Sequence, residues 1–415
     1  PGEIALKMYP DILSKIRLPD MVIAVTGSNG KTSTVEMITH ILQKQGKRVI
    51  SNKEGSNLDC GIAAVILSNC TLGGRFNGDV LVLETDERYA KLTYRYFSPT
   101  HYVITNLYRD QLTRNGHPEW VYEAIRESVT DDCTLILNAD DPLISQLGRE
   151  HKNVVWFGMD KQSFSTSENT SVYDDGAFCP VCKSRMRYNY RHYNHIGDYI
   201  CDSCGHQKHQ TAFTVTNADL DNGVITVNGK YDITLSFKSI YNVYNILACF
   251  AACAQSGIAP DSISADISDY VLKSGRVVEY TLGESEGTFL VSKHENSVSY
   301  DQSVRYIIGR DEPCGVIIIV DAVSRRYSTG EISWLWDIDF EMLNALCVDH
   351  IYLLGAHAHD LETRFSYTDI PTEKITAISD IETAVNEIAA KKHSRLYTIN
   401  CFSDQAKFLS KVTVK

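Results

Sequence analysis

No stretch of this sequence approaches the ~20 consecutive apolar residues of a membrane span, so the chain is not expected to cross a bilayer. A secretory leader is not visible either, and because Pro1 is not a natural start the native N-terminus is expected to be missing. Excess positive charge is absent. The 40 Lys and Arg stand against 52 Asp and Glu, and the net charge of −12 with a pI near 5.5 argues against broad nucleic-acid binding. There is no long repeat and no low-complexity tract in the 415 residues, a length that calls for two or three domains. Composition is otherwise ordinary for a globular chain, with 43% hydrophobic and 22% charged residues. The 12 cysteines do not read as a secreted disulfide framework. Four fall into a metal-ligand pattern and eight are scattered, mostly in apolar contexts, which points to a reducing cytosol.

What is present gathers first at Val22-Ile23-Ala24-Val25-Thr26-Gly27-Ser28-Asn29-Gly30-Lys31-Thr32-Ser33-Thr34. An apolar run breaks into glycine-rich residues and Lys-Thr, and a helical pattern follows from Val35 to Gln45. Strand, tight turn and helix N-terminus form an arrangement whose backbone N–H groups and helix dipole cradle phosphates. In that reading Gly27, Asn29, Gly30 and Ser33 line the turn, Lys31 reaches the β- and γ-phosphates, and the Thr32 hydroxyl ligates Mg²⁺. The generic phosphate-loop pattern would place its first glycine at Val25, so the match is incomplete, and an ordinary βα turn is the plain alternative. Residues 79–87 read as a buried strand ending in acids. Carboxylates at the end of a parallel strand are well placed to hold Mg²⁺, with Glu84 the first candidate and Asp86 the second, against a simple helix-capping role. Further strands at 48–52, 102–106, 135–142 and 154–158 alternate with helical patterns, which describes an α/β fold with a mostly parallel, doubly wound sheet.

Two C-x₂-C knuckles interrupt this order, Cys179-Pro180-Val181-Cys182 and Cys201-Asp202-Ser203-Cys204. Their spacing is that of a four-thiolate zinc ribbon with no open coordination position, inserted at about residues 175–210. His206 and the His192-Tyr193-Asn194-His195 turn read as packing rather than ligation, and the basic Lys183, Arg185, Arg187 and Arg191 are offset by acidic surroundings. Residues 212–237 alternate as antiparallel strands do. A small-residue helix over 241–252 then carries Asn242 and Asn245 on one face, where interior asparagines want a job. Ser274-Gly275-Arg276 reads as a hinge, and a second α/β pattern without a phosphate loop begins near Thr288. The expected division is a lead-in at 1–20, a nucleotide-binding domain at 21–276 and a smaller Rossmann-like α/β domain at 277–415.

The order of Thr26-Gly27-Ser28-Asn29-Gly30-Lys31-Thr32, Thr105-Asn106, Leu137-Asn138-Ala139-Asp140-Asp141-Pro142, Asn242-x-x-Asn245 and Ser274-Gly275-Arg276 resembles that of the Mur ligases. Those enzymes use ATP to convert a carboxylate into an acyl phosphate that an amine attacks. These residues hold no counterpart of their N-terminal UDP-binding domain and add the four-cysteine ribbon. In this the chain is similar to the MurT group, the synthetase subunits of lipid II isoglutaminyl synthase. Asn52-Lys53-Glu54-Gly55-Ser56-Asn57, Tyr108-Arg109-Asp110-Gln111 and the segment from Ser333 to Glu341 match locally as well.

The resemblance implies ATP, Mg²⁺ and Zn²⁺ as cofactors. It implies that Glu84 ligates Mg²⁺, Asn245 contacts adenine and Arg276 contacts the ATP phosphates. Gln111 stands where amino-acid-adding members place a metal-binding His. It further implies a cytoplasmic enzyme, with the inner face of the plasma membrane as a candidate place of work, that amidates the D-glutamate α-carboxyl of lipid II. Ammonia would come from a separate GatD-like glutaminase in a heterodimer, since no Gly-x-Cys-x-Gly elbow occurs here. Glu331 stands where such subunits supply an Asp that completes the partner's Cys-His pair, with a solvated loop acid as the plain alternative. Two segments depart from the pattern: Lys293-His294-Glu295-Asn296-Ser297, and residues 323–330 before Glu331. A ligase joining an amino acid to a carboxylate and an idle zinc-ribbon scaffold stay open as alternatives.

Overall fold

The structure is a computed structural model that describes residues 1–52, 56–271, 277–293, 295–321, 331–401 and 404–415, with the side chains of residues 112 and 113 outside the description. The chain divides into two units, residues Pro1–Tyr108 with His117–Leu272, and residues Arg109–Gly116 with Lys273–Lys415.

The first unit contributes β1 (Met21–Thr26), β2 (Val49–Ser51), β3 (Val80–Glu84), β4 (His101–Ile104), β5 (Thr134–Asn138) and β6 (Val154–Met159). After them come β7 (Arg187–Tyr193), β8 (Ile196–Ile200), β9 (Phe213–Asp219), β10 (Val224–Val227) and β11 (Tyr231–Thr234). The main sheet runs β11–β10–β9–β6–β5–β4–β1–β3–β2. Pairing is parallel from β2 through β9. Buried on both faces, β1 and β3 need near-continuous apolar residues, which is why their runs are unbroken rather than alternating. Residues 212–237 form the expected antiparallel strands β9–β10–β11, but β9 also pairs in parallel with β6 and so extends the main sheet. In β1, Val25 lies opposite Glu84 of β3 and Thr26 opposite Ile104 of β4, so the residues following all three strands emerge on one edge. Helix Lys31–Lys44 starts four residues before the apolar pattern does. Its N-cap is Gly30 at φ 83°, and its polar first turn carries no hydrophobic period. Strands β7 and β8 form a separate antiparallel hairpin inside the insertion.

The second unit holds β12 (Val277–Leu282), β13 (Ser285–Ser292), β14 (Cys314–Ile319), β15 (Val348–Leu354), β16 (Ile375–Ile378), β17 (Leu396–Cys401) and β18 (Thr413–Val414). They run β16–β15–β14–β17–β13–β12–β18, parallel except for the β12 and β18 edge. Tyr300 and Val304 of helix Ser297–Ile308 pack with Trp334, Phe340 and Phe365 in one core. Val385, Ile388 and Phe408 pack in another, the two cores of a doubly wound sheet. Residues 109–116 join this unit: Asn296 Nδ2 donates to Asp110 Oδ1 at 3.0 Å, and Arg109 pairs with Asp337 at 2.8 Å. Among the described residues no helix is long and apolar enough to cross a membrane.

Candidate nucleotide site and cysteine centre

The turn between β1 and helix Lys31–Lys44 is held from below by polar residues of the neighbouring strand ends. Asn29 N–H donates to Asn106 Oδ1 at 2.8 Å, and Asn29 O accepts from Thr105 Oγ1 at 2.8 Å and Asn106 Nδ2 at 3.1 Å. Two glycines are dictated by this packing. At Gly27 (φ 131°) an added Cβ would lie 2.2 Å from Thr105 Oγ1, and at Gly30 it would lie 1.9 Å from Asn245 Oδ1. Asn245 of helix Ile240–Gln255 therefore sits directly on the turn. Asn242, by contrast, bonds Phe237 O at 3.0 Å and fixes the loop before its own helix.

Lys31, Thr32 and Ser33 open the helix, and among the described residues no side chain caps its N-terminus. First-turn amides together with the positive end of the helix dipole suit an anion. Thr32 Oγ1 donates to Glu84 Oε2 at 2.7 Å, and Asn57 Nδ2 donates to Glu84 Oε1 at 3.0 Å. Asn52 clamps the Glu84 backbone from both sides, donating to its carbonyl at 2.7 Å and accepting from its N–H at 2.8 Å. A hydroxyl and a carboxylate converging beside an anion-binding turn are the oxygen donors that Mg²⁺ takes, so the residues present fit Mg²⁺–nucleotide. Asp86 accepts from Arg88 N–H at 3.1 Å and so caps the following turn.

One participant is not apparent from sequence. The Lys31 ammonium lies 2.5 Å from Glu87 Oε1 and 2.5 Å from the Gly27 carbonyl, with side-chain exposures of 10% for Lys31 and 4% for Glu87. The only signal was Glu87's place in the acidic run after β3, and nothing local separates it from Asp86. Arg276 lies outside the described residues, as do Lys53, Glu54, Gly55, His294 and residues 323–330.

In the second unit Gln111 takes φ 48°, gives its N–H to Glu295 O at 2.9 Å and accepts from Arg114 Nη1 at 3.3 Å. Glu331 is exposed and accepts from Ser333 N–H at 2.7 Å, a bond that with the Ser333 side chain lowers its pKa.

The sulfurs of Cys179, Cys182, Cys201 and Cys204 all lie within 4.8 Å of one another. Cys179–Cys204 are 3.6 Å apart and Cys182–Cys201 3.4 Å, close to the ~3.8 Å edge of a tetrahedral zinc–thiolate site. All four thiols are free of disulfides, so the donor set fits zinc. Burial pushes the Cys179 thiol up to about 12, whereas hydrogen bonds from Ser184 bring exposed Cys182 down to about 6. His206 is not a ligand in this arrangement: its Nε2 faces Pro142 O at 2.9 Å and Ser145 Oγ at 3.2 Å.

Comparison with known proteins places this geometry. The family model of the Mur ligase middle domain matches residues 25–253, and that of the MurT ligase C-terminal domain matches residues 294–404. Over 374 residues the chain is 28% identical to the lipid II isoglutaminyl synthase (glutamine-hydrolyzing) subunit MurT of Staphylococcus aureus (strain COL), across 89% of this chain and 83% of that protein. With the subunit of the same name from Streptococcus pneumoniae (strain ATCC BAA-255 / R6) the identity is 27% over 414 residues, across 98% and 90%. The structure of a pseudomurein peptide ligase type C from Methanothermus fervidus shares the fold, with a TM-score of 0.72 at 20% identity over 95% of this chain and 79% of that one. The resemblance read from the sequence motifs is borne out, and the chain belongs to the Mur ligase family of ATP-dependent carbon–nitrogen ligases.

Proposed function

We propose that this protein is the synthetase subunit of an amidotransferase that converts the D-glutamate α-carboxyl of the lipid II stem peptide to D-isoglutamine during peptidoglycan synthesis in the cytoplasm. The observation that carries the ATP half is the convergence of Lys31, Thr32 and Glu84 on an uncapped helix N-terminus. The similarity to MurT subunits along 89–98% of the chain supports the acceptor and the ammonia half.

In this reading a carboxylate oxygen of the acceptor attacks the γ-phosphorus of ATP, the bond to the bridging oxygen breaks, and ADP leaves. Ammonia then attacks the acyl carbon, phosphate departs, and the nitrogen loses a proton to give the amide. There is little covalent work for protein, so catalysis is positioning and charge neutralisation. Lys31 and the first-turn amides hold phosphate, with Arg276 assigned the same task, and Asn245 holds adenine. Thr32 and Glu84 hold Mg²⁺, which supplies charge neutralisation of the phosphates when bound. The four cysteines hold a structural zinc. Glu331 is assigned to a GatD-like glutaminase partner, where its carboxylate orients a histidine of that subunit.

The test is ADP release with purified lipid II, Mg²⁺ and either ammonium or glutamine, with and without the glutaminase. The reading expects lipid II to be required, ammonium to suffice without the partner, and glutamine to work only with it. ATP turnover that ignores lipid II in every combination would remove the acceptor assignment while leaving the nucleotide site intact.

A further inference from the structure

We propose that the cysteine-bearing insertion is a wall of the nucleotide site, with Tyr193 at the tip of its hairpin as a positioning residue for the phosphate turn. This rests on the nucleotide reading above and deepens it.

An appendage that folded for itself would meet its host through exposed linkers, but here the far end of the hairpin is buried. Tyr193, Asn194, His195 and Ile196 are at most 5% exposed. They dock on Asp140 and Asp141, both fully buried just beyond β5. Gly197 N–H donates to Asp140 O at 2.9 Å, Lys208 pairs with the Asp140 carboxylate at 2.7 Å, and His195 Nε2 lies 3.7 Å from Asp141. These same two acids fix the site's own elements: Asp141 accepts from Leu107 N–H at 3.0 Å and Asp140 from the Tyr244 hydroxyl at 2.6 Å.

Tyr193 completes two routes into the site. Its hydroxyl bonds that of Tyr108, whose backbone N–H and carbonyl are both held by Ser28 Oγ, at 3.0 and 3.2 Å, inside the phosphate turn. Its ring packs on Tyr241 at 4.6 Å and Tyr244 at 5.8 Å, on the helix that carries Asn245 onto Gly30. The hydrogen bonds that link Tyr193, Tyr108 and Ser28 are buried, so a member that moves leaves its partner unpaired. The cysteine centre sets the hairpin, the hairpin sets Tyr193, and Tyr193 sets Ser28 and Asn245 at once.

The test is titration of the full-length protein with a fluorescent, non-hydrolysable ATP analogue and Mg²⁺, alongside metal analysis and thermal melting. Tyr193→Phe is expected to weaken analogue binding about fivefold, the worth of one buried hydrogen bond, with metal content unchanged. Tyr108→Phe should reproduce that loss from the other end, and the double variant should be no weaker than either single one. Removing the metal with a strong chelator should weaken binding further, and returning Zn²⁺ should restore it. If Lys31→Ala abolishes binding while both phenylalanine variants and the chelated protein bind as wild type does, the insertion has no role at the site. If the wild type itself binds no analogue, the nucleotide reading fails first. Should Tyr193→Phe not fold, Tyr108→Phe and chelation decide the matter alone.

Discussion

The Lys31 ammonium is held between the Glu87 carboxylate and the Gly27 carbonyl. A phosphate must therefore compete with a buried carboxylate for the same cation. Glu87→Gln keeps the shape and removes the competing charge, so Mg²⁺–ATP should bind several-fold more tightly. The ligand-free protein should melt lower, because removing one partner of a buried ion pair costs about 3–5 kcal/mol. A thermal-shift series with and without Mg²⁺–ATP reads both signs at once, and an unchanged nucleotide-induced shift would sink the competition argument. Glu84→Gln removes the charged acceptor of Thr32 and is expected to raise the Mg²⁺ concentration needed for half-maximal ATP turnover by tenfold or more, on the order of 1.4 kcal/mol. At this scale the sequence revealed whatever one local stretch contains: Lys31, Thr32 and Glu84 follow from a turn and a strand end. The pairing of Glu87 with Lys31 and the clamp of Asn52 on Glu84 were not legible because the partners are 56 and 32 residues apart, and only the parallel pairings of β1 and β2 with β3 bring them together.

Among elements, the central strands were the most legible because burial on both faces leaves an unbroken apolar run in sequence. The edges were not. Strands β12 and β18 carry mixed residues on a border of the second sheet, where one side needs no partner, and they read as nothing in particular. Helix starts were displaced for a different reason. The first turn of Lys31–Lys44 is polar because it faces the site, so function erased the hydrophobic period there. The same turn makes a sharp prediction. Gly30→Ala would put a Cβ into the Asn245 amide at a φ of 83°, a conformation that side chains resist. Destabilisation of about 1–3 kcal/mol is expected, together with weakened nucleotide binding, measured by urea unfolding and analogue titration. Gly229, also at positive φ but with open space around its Cβ in the turn between β10 and β11, is the control: alanine there should lose only the backbone term and leave nucleotide binding alone.

Across the whole molecule the two sheets have separate cores and different burdens of buried charge. The first unit satisfies its buried acids with cations and donors, as Asp140 is by Lys208 and Tyr244. The second unit leaves Asp301 without a cation within ion-pairing distance among the described residues. It is 2% exposed, and Asp339 N–H donates to its Oδ1 at 2.9 Å. Burial pushes its pKa up to about 7, opposed by the Asp339 hydrogen bond and aided by the nearby Asp339 charge. Because the folded value exceeds the unfolded one, Asp301 binds its proton more tightly in the native state. The stability it confers is complete below pH ~4 and is lost as pH rises towards 7. Across that window the loss amounts to up to about 4 kcal/mol, from roughly three pK units at 1.36 kcal/mol each. Asp301→Asn keeps an oxygen for Asp339 N–H and removes the titration. Its urea midpoint should therefore change much less than that of the wild type between pH 4.5 and pH 8, and should exceed the wild-type value at pH 8. Trp334, buried in the same core as Tyr300 and with ring centroids 5.4 Å apart, supplies the fluorescence signal from this unit. Parallel pH profiles for the two proteins would show that Asp301 is not the group whose ionisation loosens the second sheet.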